Sequence, residues 1–148
     1  MRNLLVFLHL AAAIFWMGGM AFVVLALRPA LAAQLAPPQR LPLTIAVLRR
    51  FFAVVAASVL VLLATGVPLM LQAPAGATPP GWHAMAGLGV LMMLVFGHVF
   101  FSPWKRARRA VASQDWPEAG KRVNQIAMLV KLNLGLGWLA IAAVLLWR

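Results

Sequence analysis

The chain has no cysteine, and among its 148 residues only Asp115 and Glu118 are acidic. The first absence excludes disulfides, thiolate zinc, iron–sulfur clusters and thiol nucleophiles. The second leaves no pair of carboxylates for hydrolase or transferase chemistry, because both acids sit in one short polar connection that reads as a helix cap. Metal ligation is left to histidine and methionine, with the two acids as the remaining candidates. Charge is scarce as well: 10% of residues are charged, 64% are hydrophobic and the mean hydropathy is +0.94. That is too little polar surface for a soluble domain of this size. The composition is that of an integral membrane protein.

Four apolar stretches, Asn3 to Leu27, Phe51 to Leu71, Trp82 to Pro103 and Ile126 to Trp147, each reach the ~20 residues a helix needs to cross the bilayer. The expected fold is all-α, a four-helix transmembrane bundle forming one domain over residues 1–148. The first stretch exceeds the ~7–15-residue core of a signal peptide, so it is read as a retained span. Of thirteen Lys and Arg, four lie in the first connection and six in the third, whereas the second connection carries none. By the positive-inside rule the basic connections are cytoplasmic and both termini face outward, N-out and C-out. This places the chain in an inner, plasma-type bacterial membrane as a multi-pass protein. The net charge of +11 then reads as contact with anionic lipid headgroups, and nucleic acid is not expected as a partner.

The cytoplasmic connections are expected to hold short interfacial helices. Leu41, Ile45 and Leu48 recur at helical spacing after Pro37 and Pro38. Asp115-Trp116-Pro117-Glu118 has the form of a capping box, starting the last helix near Trp116. Pro68 should bend the second span locally.

All three histidines, His9, His83 and His98, fall in the apolar stretches, where an ionisable side chain is expensive and normally faces a bundle interior, a partner or an ion. His9 lies on a stripe of small residues with Ala12, Ala13, Trp16, Gly19 and Met20, the kind of stripe that packs on another helix. His83 and His98 are separated by about 60° around the third helix and about 22 Å along it, so one centre cannot use both. Depth groups these residues into two levels. His9, His83, Met85 and Met70 form an outer cluster; His98, Met20, Met128 and Lys131 form an inner one, with Lys131 and His98 as a candidate pair on a proton or ion path. Between them is an apolar waist with Met92 and Met93.

Two chemistries suit the outer cluster. Imidazole with thioether is a copper site, and thioether favours Cu(I). Two imidazoles from different helices, His9 and His83, can instead be the axial ligands of a haem b iron, the cofactor of an electron-transfer protein or a membrane oxidoreductase. A third reading is structural: the histidines bond neighbouring helices, the methionines fill the core, Lys131 snorkels to the interface, and the chain is a subunit of a membrane complex.

Several segments carry a family resemblance. Leu8-His9-Leu10, Phe15-Trp16-Met17-Gly18-Gly19 and Leu27-Arg28-Pro29-Ala30, followed by Arg49-Arg50-Phe51-Phe52, Thr65-Gly66, His83-Ala84-Met85, Phe96-Gly97-His98 and Asn133-Leu134-Gly135-Leu136-Gly137, resemble the CopD-type copper-resistance membrane domain over essentially the whole chain. The resemblance implies a four-helix inner-membrane protein of copper handling, with His9 as the carried-over metal-site residue. A more distant similarity is to the HemJ-type protoporphyrinogen oxidases, through His9, His83 and Asn124-Gln125. Met85 stands where that family places Lys, and Gln125 replaces its acid. The first expectation is therefore copper taken from the periplasmic side through His9, His83, Met85 and Met70, with His98 and Met20 as an inner station. A periplasmic copper donor and a second copy of the chain are the partners this reading admits. Haem b is the alternative cofactor.

Overall fold

The computed structural model describes residues 1–73 and 78–147, and all of its regular structure is helical. The stretch 74–77 of the Pro/Gly-rich second connection, and Arg148, lie outside the described residues. Helix α1 spans Arg2–Phe22 and runs through a π-helical segment, Val23–Leu27, into α2, Arg28–Gln34. Leu35 and Ala36 are extended, as the residue before a proline prefers, and Pro37 opens α3, Pro37–Leu71. Helix α4 covers Pro80–Phe101, α5 covers Pro103–Ala112 and α6 covers Trp116–Leu146. Four stretches, Arg2–Gln34, Pro37–Leu71, Pro80–Ala112 and Trp116–Leu146, are long and apolar enough to cross a membrane. The chain is a multi-pass, four-helix membrane bundle.

The first basic connection differs in form from the expectation of a short separate helix at Leu41, Ile45 and Leu48. Leu41, Ile45 and Leu48 belong to the first turns of the single long helix α3, with Pro42 inside it. The amide that Pro42 lacks would have bonded Pro38, at the helix start, where a free carbonyl can still meet water, so the break is cheap. In the third connection a separate helix does form: Ser102 leaves the helical region before Pro103, and the amphipathic α5 comes next. Helix α5 closes with Gln114 at a positive φ of 57°, while the amides of Gln114 and Asp115 bond Val111 and Ala110 at 3.1 and 2.9 Å. This is a Schellman closure on a non-glycine residue. Asp115 then caps α6, accepting from the Glu118 amide at 3.1 Å, and Glu118 pairs with Arg122 at 2.6 Å.

The bundle is built from two helix pairs, α1 against α3 and α4 against α6, with α5 lying along the start of α6. In lipid such pairs form by close packing, because tails are as apolar as the side chains they would replace. Gly81 shows how close. A Cβ there would run into the carbonyl oxygens of Ala143 and Trp147, and the Gly81 amide donates to Trp147 at 3.1 Å. Between the pairs lies a core of Trp16, Met20, Phe52, Val55, Met92, Val99, Ile126 and Val130. Toward the basic end this core becomes aromatic: Phe52 stands edge-on to Phe96, Phe100 and Trp104, with Trp104 nearest at 5.0 Å. Outward-facing Phe7, Ile14, Leu60, Leu94 and Leu139 are exposed, as a lipid-facing surface requires.

Candidate functional site

His9 enters the bundle from α1 and turns toward α3, where Nδ1 lies 2.9 Å from the Thr65 hydroxyl. The direction of this bond is fixed by the rest of Thr65. Its single hydroxyl proton is given to the Val61 carbonyl one turn back, at 2.6 Å, the back-bonding habit of threonine in helices. With that proton so placed the oxygen is left to accept from the ring, an assignment that puts the proton of neutral His9 on Nδ1. Its Nε2 keeps a lone pair. This is the arrangement seen in metal-binding histidines, whose second ring nitrogen donates to a fixed acceptor. Gly66 makes room for it: a Cβ there would stand 3.0 Å from the ring. Thr65 itself is 3% exposed, so the acceptor side of the bond is buried while His9 stays half-buried.

Deeper in the membrane three helices meet at Gly137 of α6. A Cβ on Gly137 would collide with the Met17 sulfur of α1 and come within 3.2 Å of the terminal methyl of Met92 on α4. One turn away, Asn133 is 4% exposed. Its amide donates to the Met92 carbonyl at 3.3 Å, but its side-chain oxygen Oδ1 is buried without a partner among the described residues. An unmatched carbonyl oxygen in a protein interior costs ~1–3 kcal/mol. Asn133 borders a cavity of about 10 Å³, room for one water or ion, together with Met20, Trp16 and Phe52. The Met17 sulfur and the Met92 methyl thus lie against Gly137, one turn from Asn133 on α6, while the small cavity beside Asn133 is lined by Met20.

The other residues singled out from the sequence are spread around the bundle. His83 is exposed in the first turns of α4, its Nε2 3.0 Å from the Thr78 hydroxyl. Met85 and Met70 are half-buried, His98 is exposed in the last turn of α4, and Met128 is 64% exposed. Met20 is in the core at 1% exposure. His9 and His83 have different partners. The backbones of α1 and α4 do not pack together, their side chains meeting where Trp16 stands edge-on to Phe96. No group of three or more His, Asp or Glu able to hold a metal occurs among the described residues. Lys131 lines a cavity with Arg28, Arg40 and Asn124, and His98 is not part of that lining. Thr65, Met17 and Asn133 were not singled out as site residues. A polar side chain in mid-span was a usable signal for Asn133; Thr65 and Met17 needed the helix packing.

A helical, multi-pass membrane protein with one oriented imidazole above a thioether-rich interior is the class that fold and site define. Family comparison narrows it: the model of copper resistance protein D matches residues 45–147, and the chain belongs to that family. The match covers α4, α5, α6 and most of α3, and leaves α1 with His9 outside it. No curated protein and no solved structure matches the chain.

Proposed function

We propose that this copper-resistance membrane protein moves copper into the bundle from its outer face, with His9 Nε2 as the receiving ligand. The observation that carries this reading is the committed Thr65 hydroxyl, which leaves the His9 lone pair on Nε2. The donors fit a soft monovalent ion. Imidazole accepts copper readily, and thioether selects Cu(I). His83, exposed at the same end, meets the ion first, with Met85 and Met70 nearby. Met17, Met92 and the unpartnered oxygen of Asn133 offer the next donors, and Met20 the one after. An ion there would satisfy the oxygen that the protein leaves unmatched. The aromatic layer around Phe52 and Trp104 closes the path below Met20, so onward passage needs those rings to move. The membrane is the bacterial inner membrane and the Arg/Lys-rich connections face the cytoplasm, a reading supported by the charge asymmetry.

Copper uptake into proteoliposomes holding the full chain tests this reading. Wild-type protein should load Cu(I) under reducing conditions, and His9→Gln should fall to the rate of empty vesicles. Equal uptake by wild type and His9→Gln would refute His9 as the entry ligand. Loss of uptake in Met17→Leu with copper still bound at His9 would place the methionine level after the histidine.

A further inference from the structure

We propose that the cavity at the basic end of the bundle is a binding site for a phosphate-bearing anion. It has a volume of about 350 Å³, within the range of small-molecule sites and larger than a bare phosphate needs. Arg28, Arg40 and Lys131 line it from α2, α3 and α6. Three cations from three helices would repel one another unless an anion sits among them.

Among the described residues no side chain supplies such an anion. Its two acids are both committed elsewhere, Asp115 to the cap of α6 and Glu118 to Arg122. The Arg28 guanidinium is instead held by a neutral group, the side-chain oxygen of Asn124. That contact uses one of its five N–H donors and leaves its charge unmatched. Arg40 and Lys131 make no side-chain hydrogen bond or ion pair among the described residues; the Thr44 hydroxyl donates to the Arg40 backbone carbonyl at 2.8 Å. Two planar guanidiniums and an ammonium, lining one space, match the several oxygens of a phosphate better than the two of a carboxylate.

The backbone builds this convergence. The π segment Val23–Leu27 lies directly before Arg28, whose amide reaches back to the Val23 carbonyl. One extra residue in that turn rotates α2 about the helix axis relative to α1, and π turns of this kind recur at functional sites. It brings Arg28 to face Asn124 on α6. Lys131 stands seven residues, about two turns, further along the same face of α6. The same three charges repel a copper ion, so this cavity is separate in chemistry from the histidine and methionine donors above it.

The phosphate could arrive on a lipid headgroup or in solution, and the test separates the two. Delipidated full-length protein is titrated with inorganic phosphate, and in parallel reconstituted into nanodiscs of phosphatidylcholine with and without phosphatidylglycerol. Retained lipid is counted by native mass spectrometry. Wild type should bind one of the two probes. Phosphatidylglycerol retained in preference to phosphatidylcholine, with no response to phosphate, identifies the headgroup; saturable phosphate binding that displaces the lipid identifies the soluble form. Arg40→Gln, which breaks no side-chain hydrogen bond or ion pair among the described residues, should weaken binding roughly tenfold, as expected for losing one charge-assisted hydrogen-bond pair. Lys131→Met should act in the same direction. Arg109→Gln, on α5 and outside the cavity, should bind as wild type does. The proposal is overturned if neither probe binds, if Arg40→Gln and Lys131→Met both bind like wild type, or if Arg109→Gln weakens binding as much as Arg40→Gln.

Discussion

Replacing Thr65 with valine keeps the shape of the side chain and removes only its hydroxyl, which makes it a clean probe of the His9 tautomer. Thr65 is 3% exposed and its oxygen takes the His9 Nδ1 proton at 2.9 Å, so no water replaces the lost partner. The bundle loses one interhelical hydrogen bond, worth about 0.6–2 kcal/mol within a membrane. The effect on copper should be larger than that on folding. With its proton no longer anchored, His9 can turn its ring and shift its proton, and loss of such a supporting partner typically lowers metal affinity ~10–100-fold. Competition for Cu(I) against a chromophoric chelator, in detergent-solubilised full-length protein, measures that drop. Nitrogen-15 spectra of labelled histidine read the cause: Nδ1 protonated in wild type, mixed tautomers in Thr65→Val. Thr65→Ser should retain both the affinity and the tautomer. Wild-type affinity in Thr65→Val, with the protein folded, would refute the link between this bond and copper.

The same geometry fixes other outcomes. Gly137→Ala should destabilise the bundle by about 1–3 kcal/mol, as overpacking does, because its methyl meets the Met17 sulfur; reversible unfolding in mixed micelles reads this. Asn133→Leu removes the unpartnered oxygen together with the hydrogen bond to the Met92 carbonyl, two effects of opposite sign, so it should change stability by less than about 1 kcal/mol while lowering copper passage. A stability loss with unchanged passage would give Asn133 a packing role only. Reporter fusions after Ala73 should read as periplasmic and those after Ser113 as cytoplasmic, and the reverse pattern would invert the direction assigned to copper.

The spans were legible because apolar length alone specifies them, and Asp115 was legible as a cap because its chemistry is local. The chain between the spans was less so. Pro37, Pro38 and Pro42 read as punctuation, yet they sit where a helix loses little by lacking an amide: at the start of α3 and one turn further on. Arg28 and Lys131 were legible as lying at one level, but the π segment before Arg28, which sets the way Arg28 faces, has no sequence signal. His9 was legible as a costly group in an apolar run. Its partner was not, because Thr65 lies 56 residues away and only the pairing of α1 with α3 joins them. For the same reason depth, similar for Lys131 and His98 along α6 and α4, does not by itself say which face each side chain occupies.

Copper retained by the purified full-length chain after dialysis under reducing conditions, compared between wild type and His9→Gln, bears most directly on the reading of His9 as the receiving ligand. Wild type should hold Cu(I), show no Soret band, and lose most of its copper when His9 is replaced. Equal retention by His9→Gln, or a Soret band in the wild-type protein, would contradict it.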